Sequence, residues 1–468
     1  MKAVNVTSLT PGTKAETDYC TEDGTVLISK GIEITKKHLE ILHRRNIFEL
    51  YQKEAKEDDE IKKILSSELP DLEDLDIDDL STTTQKIEWE PELKGPARAL
   101  ELPEFKEIES GLKGLRKLND SKHASELDKK FRYGRTPDRP VGPALRDEAT
   151  DMFPKDRTDS YKDKMTLLYD IALNDVKKIL NSLANGKKID GKQIRRIVKS
   201  FVKTFITDKN ILLNLSTTRC KDTIYIYSHS LNVCLLAINI AASAGYNREQ
   251  VIEIGMGALL YDVGMLLIPH TIFTKKERLT KDEWFEIQKH PILGLHLLES
   301  ISRLPESIPY IAYQSHEREN STGYPKQRDK RLIHCFSKII QIADIFIALS
   351  SPRSYREEFM PYKAMETIIK MTKKGLVSGE FVKSLLTYTS LFPVGSLVEL
   401  NDKKIGKVIK ANATSFAKPV VSVLTTETGA ILPKGDIYQI DLSEDIDKHI
   451  VRALKLDYLS EVALMDGF

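Results

Sequence analysis

Cysteine is scarce in this chain: four in 468 residues, at Cys20, Cys220, Cys234 and Cys335, far apart and with no Cys-x-x-Cys pair. That spacing excludes a disulfide framework and a zinc ribbon, and it suits a reducing cytoplasm. Charge of one sign is missing too, since 70 Lys and Arg stand against 69 Asp and Glu for a formal net charge of +1. No global field draws the chain to DNA, RNA or an anionic lipid surface, so any anion site has to be local. The opening Met1-Lys2-Ala3-Val4-Asn5-Val6-Thr7-Ser8 has no apolar stretch of the signal-peptide kind. Apolar runs further on are broken by Asn232, Asn239, Glu253 and Asp262, and no membrane span is expected.

What is present is an apolar fraction of 41%, enough for real cores, on a chain longer than one core usually supports. The predicted fold is mainly α, a helical domain with small β-rich units at both ends. Residues 1–53 carry short apolar runs separated by Pro11-Gly12 and Asp23-Gly24, the pattern of a small antiparallel unit. Ile34 to Leu50 reads as a helix with Leu39, Leu42 and Ile47 on its apolar side. Residues 54–160 are acidic at first and then rich in proline and charge, with short helices expected near Leu112 to Leu118. A charged, flexible linker is the expectation there, with a segment that orders on meeting a partner as the alternative.

From Tyr161 the helical period takes over through about residue 390, beginning with Met165, Leu168, Ile171 and Leu173. Thr280-Lys281-Asp282-Glu283 is a capping box, and His290-Pro291 breaks one helix and starts another. Residues 391–468 return to β-rich runs, Leu397 to Leu400, Gly406 to Ile409 and Val420 to Leu424, with a closing helix expected over Ile446 to Leu459.

Chemistry-bearing residues stand in five places where the helical pattern does not require them: His229, Tyr261-Asp262, His290, Ser315-His316-Glu317 and Asp344. Singly, each reads most simply as a buried polar residue satisfied by hydrogen bonds. Together they form an ordered series. Gly323-Tyr324-Pro325 follows His316-Glu317 at the spacing His-His-Glu-x-x-Asp-Gly-x-Gly-Tyr-Pro, and Asp344 opens a stretch like Asp-x-Phe-Asp-Ala-Leu-x-Ser-x-Arg-Pro-Tyr-Arg.

On these motifs the chain resembles the HD-GYP family of cyclic di-GMP phosphodiesterases, over about 170 residues. The resemblance implies two or three ions, usually iron or manganese, and a bridging water that attacks phosphorus. It implies Asp262 as the bridging carboxylate. His229, residue 261 and Asp344 would complete one ion's shell, and His290 with positions 315 and 316 would serve the other. It also implies that Arg353 contacts the nucleotide phosphate, as a guanidinium can without any metal, against a plain surface charge as the alternative. The Gly323-Tyr324-Pro325 loop is expected either to dock a signalling protein or to be a turn with Tyr324 as an aromatic lid.

The departures fall on chemistry. Position 261 is Tyr where the family has His, 265 is Met where it has Lys, and 315 is Ser where it has His. A phenol must lose a proton with a pKa of about 10 before it binds metal well, whereas imidazole is already a neutral ligand. A cationic donor lost from a transition-state site costs about 3–4 kcal/mol. Asn320-Ser321 replaces Asp-Gly, and Ile347 replaces a second Asp. The expectation is a degenerate HD-GYP-like protein, catalytically weak or inactive, acting as a cyclic di-GMP-related sensor or protein-interaction scaffold. Its partners would be a cyclic dinucleotide and a signalling protein, met through the Gly-Tyr-Pro loop or the N-terminal unit. Iron or manganese would be at reduced occupancy or absent, on a single distorted site built from His229, Asp262, His290, His316 and Asp344, with Tyr261 as a further candidate. Two alternatives stay open: an active phosphodiesterase with an altered metal shell, and an adaptor that binds no nucleotide.

Overall fold

The computed structural model of the chain describes residues 2–52, 139–150, 159–350 and 361–454, with short interior gaps of which the longest is 217–224. It divides into two compact units, Met1–Glu73 and Asp74–Phe468. In the first, strands β1 (Lys2–Asn5), β2 (Tyr19–Cys20), β3 (Val26–Ile28) and β4 (Glu49–Gln52) form an antiparallel sheet in the order β1-β4-β2-β3. Val6, Tyr19, Ile28, Ile34, Leu42 and Leu50 close its core. The helix expected to reach Leu50 stops short. Leu50 pairs with Val4 in the sheet, because burying it there satisfies both its side chain and its backbone.

The described part of the second unit begins with residues 139–150, which the composition had placed in a solvated tether. They are docked instead. Leu145 is wholly buried and its N–H donates to the Tyr246 carbonyl at 2.9 Å. Gln250 Nε2 donates to the Arg139 carbonyl, and Asn247 Nδ2 to that of Val141, at 2.7 Å each. One apolar anchor plus backbone bonds to a helix cap is enough to order a segment whose average composition reads as disordered. The helices expected near Leu112 to Leu118 lie outside the described residues.

Twelve helices follow among the described residues. Those that build the site are α1 (Asp159–Ala184), α2 (Gly191–Thr207), α3 (Ile211–Ser216), α4 (Tyr225–Ser243), α5 (Arg248–Leu260), α6 (His270–Phe273), α7 (Lys281–Ile287), α8 (His290–Leu298), α9 (Ser307–Gln314) and α10 (Cys335–Ser350). Helices α11 (Pro361–Lys373) and α12 (Gly379–Thr389) complete the bundle. Helix α4 is the axis, apolar all round and packed by α1, α3, α5, α10 and α12. Tyr225–Ser243 and Arg248–Leu267 are long and apolar enough to cross a membrane, but the first is wholly and the second mostly enclosed by the protein itself. Their hydropathy is that of core helices.

The capping box at Thr280 forms as expected, with Thr280 N donating to Glu283 at 2.8 Å and Glu283 N to the Thr280 hydroxyl at 3.2 Å. The break at Pro291 also forms: α7 ends at Ile287 and α8 starts at His290 with proline in its first turn. Two short strands, β5 (Ile189–Asp190) and β6 (Ile301–Ser302), pair in parallel within the helical region. After α12 comes a five-stranded antiparallel sheet of β7 (Leu397–Leu400), β8 (Ile405–Lys410), β9 (Val420–Val423), β10 (Tyr438–Asp441) and β11 (Ile450–Leu454), in the order β10-β9-β8-β7-β11. The closing helix expected over Ile446 to Leu459 is corrected by β11, which pairs with β7. Leu454 joins Leu397, Ile405 and Leu424 in that sheet's core, which a helix at the sheet edge would leave open.

Candidate metal centre

Five elements converge to place the side chains. The second turn of α4 carries His229, and Tyr261 caps the C-terminal end of α5. Asp262 follows at φ −102°, ψ 9°, outside regular helix, and so leaves the α5 axis. Gly264 is what lets this corner approach α8. A Cβ there would stand 2.0 Å from the His290 carbonyl oxygen and 2.5 Å from Gly294 N, so only glycine fits. His290 opens α8, His316 follows α9, and Asp344 comes from the middle of α10.

Two clusters result. In one, His290 Nε2 and His316 Nε2 lie 3.1 and 3.3 Å from Asp262 Oδ1, all three residues buried. His290 Nδ1 donates to the Ile287 carbonyl at 2.7 Å, which leaves Nε2 as the ring's lone-pair nitrogen. That Nε2 is buried and has no hydrogen-bond partner among the described residues, though the Asp262 oxygen is near. A lone pair held against a carboxylate in this way suits a cation. The donor set, two imidazoles and one carboxylate, is the one that iron(II) and manganese(II) favour.

In the other cluster, His229 Nε2, the Tyr261 hydroxyl and Asp344 Oδ1 are mutually 2.9 Å apart. The Tyr225 hydroxyl lies 2.8 Å from His229 Nδ1, one turn earlier on α4. If Tyr225 donates to Nδ1, His229 Nε2–H and the Tyr261 hydroxyl both donate to Asp344 and every polar atom has a partner. Of the residues the motifs nominate, His229, Tyr261, Asp262, His290, His316 and Asp344 are therefore all brought together.

Electrostatics follows the same division. Burial raises the Asp262 carboxyl, but the two imidazoles beside it, His290 at 3.1 Å and His316 at 3.3 Å, outweigh burial and hold it far below the ordinary carboxylate range. Burial likewise opposes ionisation of Asp344, and the His229 bond and charge bring it below its ordinary value. Burial, with the carboxylates of Asp262 and Asp344 alongside, pushes the Tyr261 phenol well above its ordinary value. The phenol is a donor here, not a phenolate.

Ser315 and Met265 supply nothing to either cluster. The Ser315 hydroxyl turns back to the Ala312 carbonyl at 3.4 Å, and the Met265 side chain is buried. Gly323, Tyr324 and Pro325 fold over the His290 side. The Tyr324 ring is parallel to that of His316, centroids 5.0 Å apart, and meets His290 and Trp284 edge-on at 6.0 and 5.8 Å. Buried Glu317 ties the loop down by accepting from Lys326 N at 2.7 Å and Arg328 N at 2.8 Å. A Cβ on Gly323 would sit 2.3 Å from Arg318 N. Tyr225 and Arg318 were not singled out from the sequence, although the four-residue step from Tyr225 to His229 is a readable signal. Arg353 lies outside the described residues.

The HD domain family model matches residues 202–377, and that of the KOW domain associated with the HD domain matches 397–461, which contains the C-terminal sheet. The chain is 27% identical over 239 residues to cyclic di-GMP phosphodiesterase PA4108 of Pseudomonas aeruginosa, covering 51% of this chain and 57% of that one. With an HD match holding the whole cluster and a Gly-Tyr-Pro loop seated on it, the family is decided. The chain belongs to the HD-GYP family. This HD-GYP protein is also 29% identical over 208 residues to cyclic di-GMP phosphodiesterase PdeB of Borreliella burgdorferi (44% of this chain, 54% of that one). To the response regulator RpfG of Xanthomonas campestris, a cyclic di-GMP phosphodiesterase, it is 36% identical over 119 residues, 25% of this chain and 32% of that one. The matches span little more than half the length of the first two relatives.

Proposed function

We propose that this HD-GYP protein binds a cyclic dinucleotide and hydrolyses it slowly or not at all, serving as a sensor or scaffold in a bacterial cytoplasm. One observation carries the reading: the buried Tyr261 hydroxyl closes a hydrogen-bond triangle with His229 and Asp344 where the family places a metal ligand. A buried neutral phenol is a poor ligand for a divalent ion, and its neighbours are already satisfied. Met265 adds to this, since a thioether offers no charge to a phosphoryl oxygen.

Binding has separate support. Tyr324 presents an aromatic face beside His316 and His290, and the half-buried Arg318 feels the charge of Asp344 from the same side of the site. A base can stack on the one, and a phosphate can take hydrogen bonds from the other. Where metal binds, Asp262, His290 and His316 are the residues to hold it, and it would supply Lewis-acid polarisation of a phosphoryl oxygen. The relatives act on cyclic di-GMP by name, which makes it the first ligand to offer.

The test is anaerobic purification with iron and manganese offered, then titration with cyclic di-GMP by calorimetry and assay of linear product. Saturable binding without product is expected. Turnover at an ordinary enzymic rate overturns the reading in favour of an active enzyme with an altered shell, and absence of binding overturns it in favour of an adaptor.

A further inference from the structure

The two clusters differ in what they leave unsatisfied, and that difference assigns them different occupants. Around His229 nothing is left over: Tyr225 meets Nδ1 at 2.8 Å, and Nε2, the Tyr261 hydroxyl and Asp344 Oδ1 satisfy one another at 2.9 Å. An ion entering there has to displace hydrogens that already hold the ring together. Around His290 one group is left over, although His316 Nε2 is within hydrogen-bond distance of Asp262 Oδ1 at 3.3 Å. The His290 Nδ1–H is spent on the Ile287 carbonyl, and its Nε2, fully buried, faces Asp262 at 3.1 Å without a hydrogen bond.

We propose that this protein binds a single iron(II) or manganese(II) ion, on Asp262, His290 and His316, and that Tyr261 is the residue that closes the second ion position. The proposal deepens the reading of a weakened centre and rests on the same site. It places the ion on the side away from Tyr261 and leaves His229 and Asp344 out of its shell. Three protein donors on one side leave open coordination positions. Tyr324, parallel to His316, lies over that side as a lid. Ser315, bonded to its own helix at Ala312, adds no donor there.

The experiment counts metal per full-length chain by mass spectrometry after anaerobic loading with manganese(II) or iron(II), and reads manganese by electron paramagnetic resonance. The expected result for the parent protein is about one ion per chain with an isolated-ion manganese signal, and for Tyr261→His about two with exchange coupling. His290→Gln is expected to lose the ion, and His229→Gln to keep it. This pair decides the matter even if Tyr261→His does not fold. Two ions in the parent protein, or loss of the ion in His229→Gln, overturns the proposal. Nucleotide turnover is measured on the same samples. Turnover with one ion defeats the functional reading and spares the metal assignment, whereas two coupled ions without turnover do the opposite.

Discussion

The His229 side and the His290 side of the centre are built alike, from groups on neighbouring helices closing on a carboxylate, yet one is complete and the other is not. Around Asp344 the contacts are hydrogen bonds of 2.9 Å with a donor for every acceptor. Around Asp262 a buried nitrogen of His290 stands 3.1 Å from a carboxylate oxygen and has no hydrogen-bond partner among the described residues. The difference traces to one residue type. Imidazole at 261 would offer a lone pair to an ion, while a hydroxyl both donates and accepts, and so turns a ligand set into a closed ring. On the reading proposed above, that exchange changes what the pocket can hold.

The strongest way to break the comparison is to move Asp262 away from His290. Gly264→Ala puts a Cβ within 2.0 Å of the His290 carbonyl oxygen and 2.5 Å of Gly294 N, both backbone atoms that cannot swing aside. Overpacking of this kind costs roughly 1–3 kcal/mol and at times more, and with backbone on both sides about 3 kcal/mol or more is expected. Urea unfolding checks it, with Gly435→Ala as the control because nothing lies within 4 Å of a Cβ there. Bound metal should fall along with stability. An unchanged midpoint would mean that the corner is looser than the close approach of α8 implies.

A smaller effect tests the closed side. Tyr261→Phe keeps the ring and removes the hydroxyl, so Asp344 loses one donor and His229 one neighbour. Losing a buried hydrogen bond of this kind costs about 1–2 kcal/mol. The unfolding midpoint should drop accordingly while metal content stays as in the parent protein. A drop in metal content would place Tyr261 in an ion's shell after all.

Most of this arrangement was legible in the chain before its structure. Helix periodicity marked His229, Asp262, His290, His316 and Asp344 as out of place, and it took the family resemblance of the ordered motifs to nominate them as a set. The capping box at Thr280 and the break at Pro291 formed as local rules require. The misses are of another kind. Residues 139–150 read as tether, since composition averages over a window and cannot see that Leu145 alone finds a slot beside Tyr246. Residues 450–454 read as helix, but an open edge beside β7 took them as a strand. Tertiary partners decided both cases. Nor could spacing show that His290 Nδ1 is held by the Ile287 carbonyl, and so which nitrogen is left for a ligand.

The smallest effect separates departures that the fold absorbs from those proposed to change the chemistry. Asn320-Ser321 stands where the family has Asp-Gly, and Ser321 sits at φ 65°, in the left-handed region that glycine enters freely. The turn forms nonetheless: Ser321 N donates to the Arg318 carbonyl at 2.9 Å, and Asn320 Oδ1 accepts from Thr322. Left-handed backbone costs a residue with a Cβ roughly 1–2 kcal/mol, and glycine gives back about 0.4–1 through its freer unfolded chain. Ser321→Gly should therefore stabilise the protein by about 0.5–1 kcal/mol in urea unfolding, with metal content unchanged. Destabilisation, or a change in bound metal, would show that this loop takes part in the chemistry; stabilisation alone leaves the departures at Tyr261, Met265 and Ser315 as the ones that bear on it.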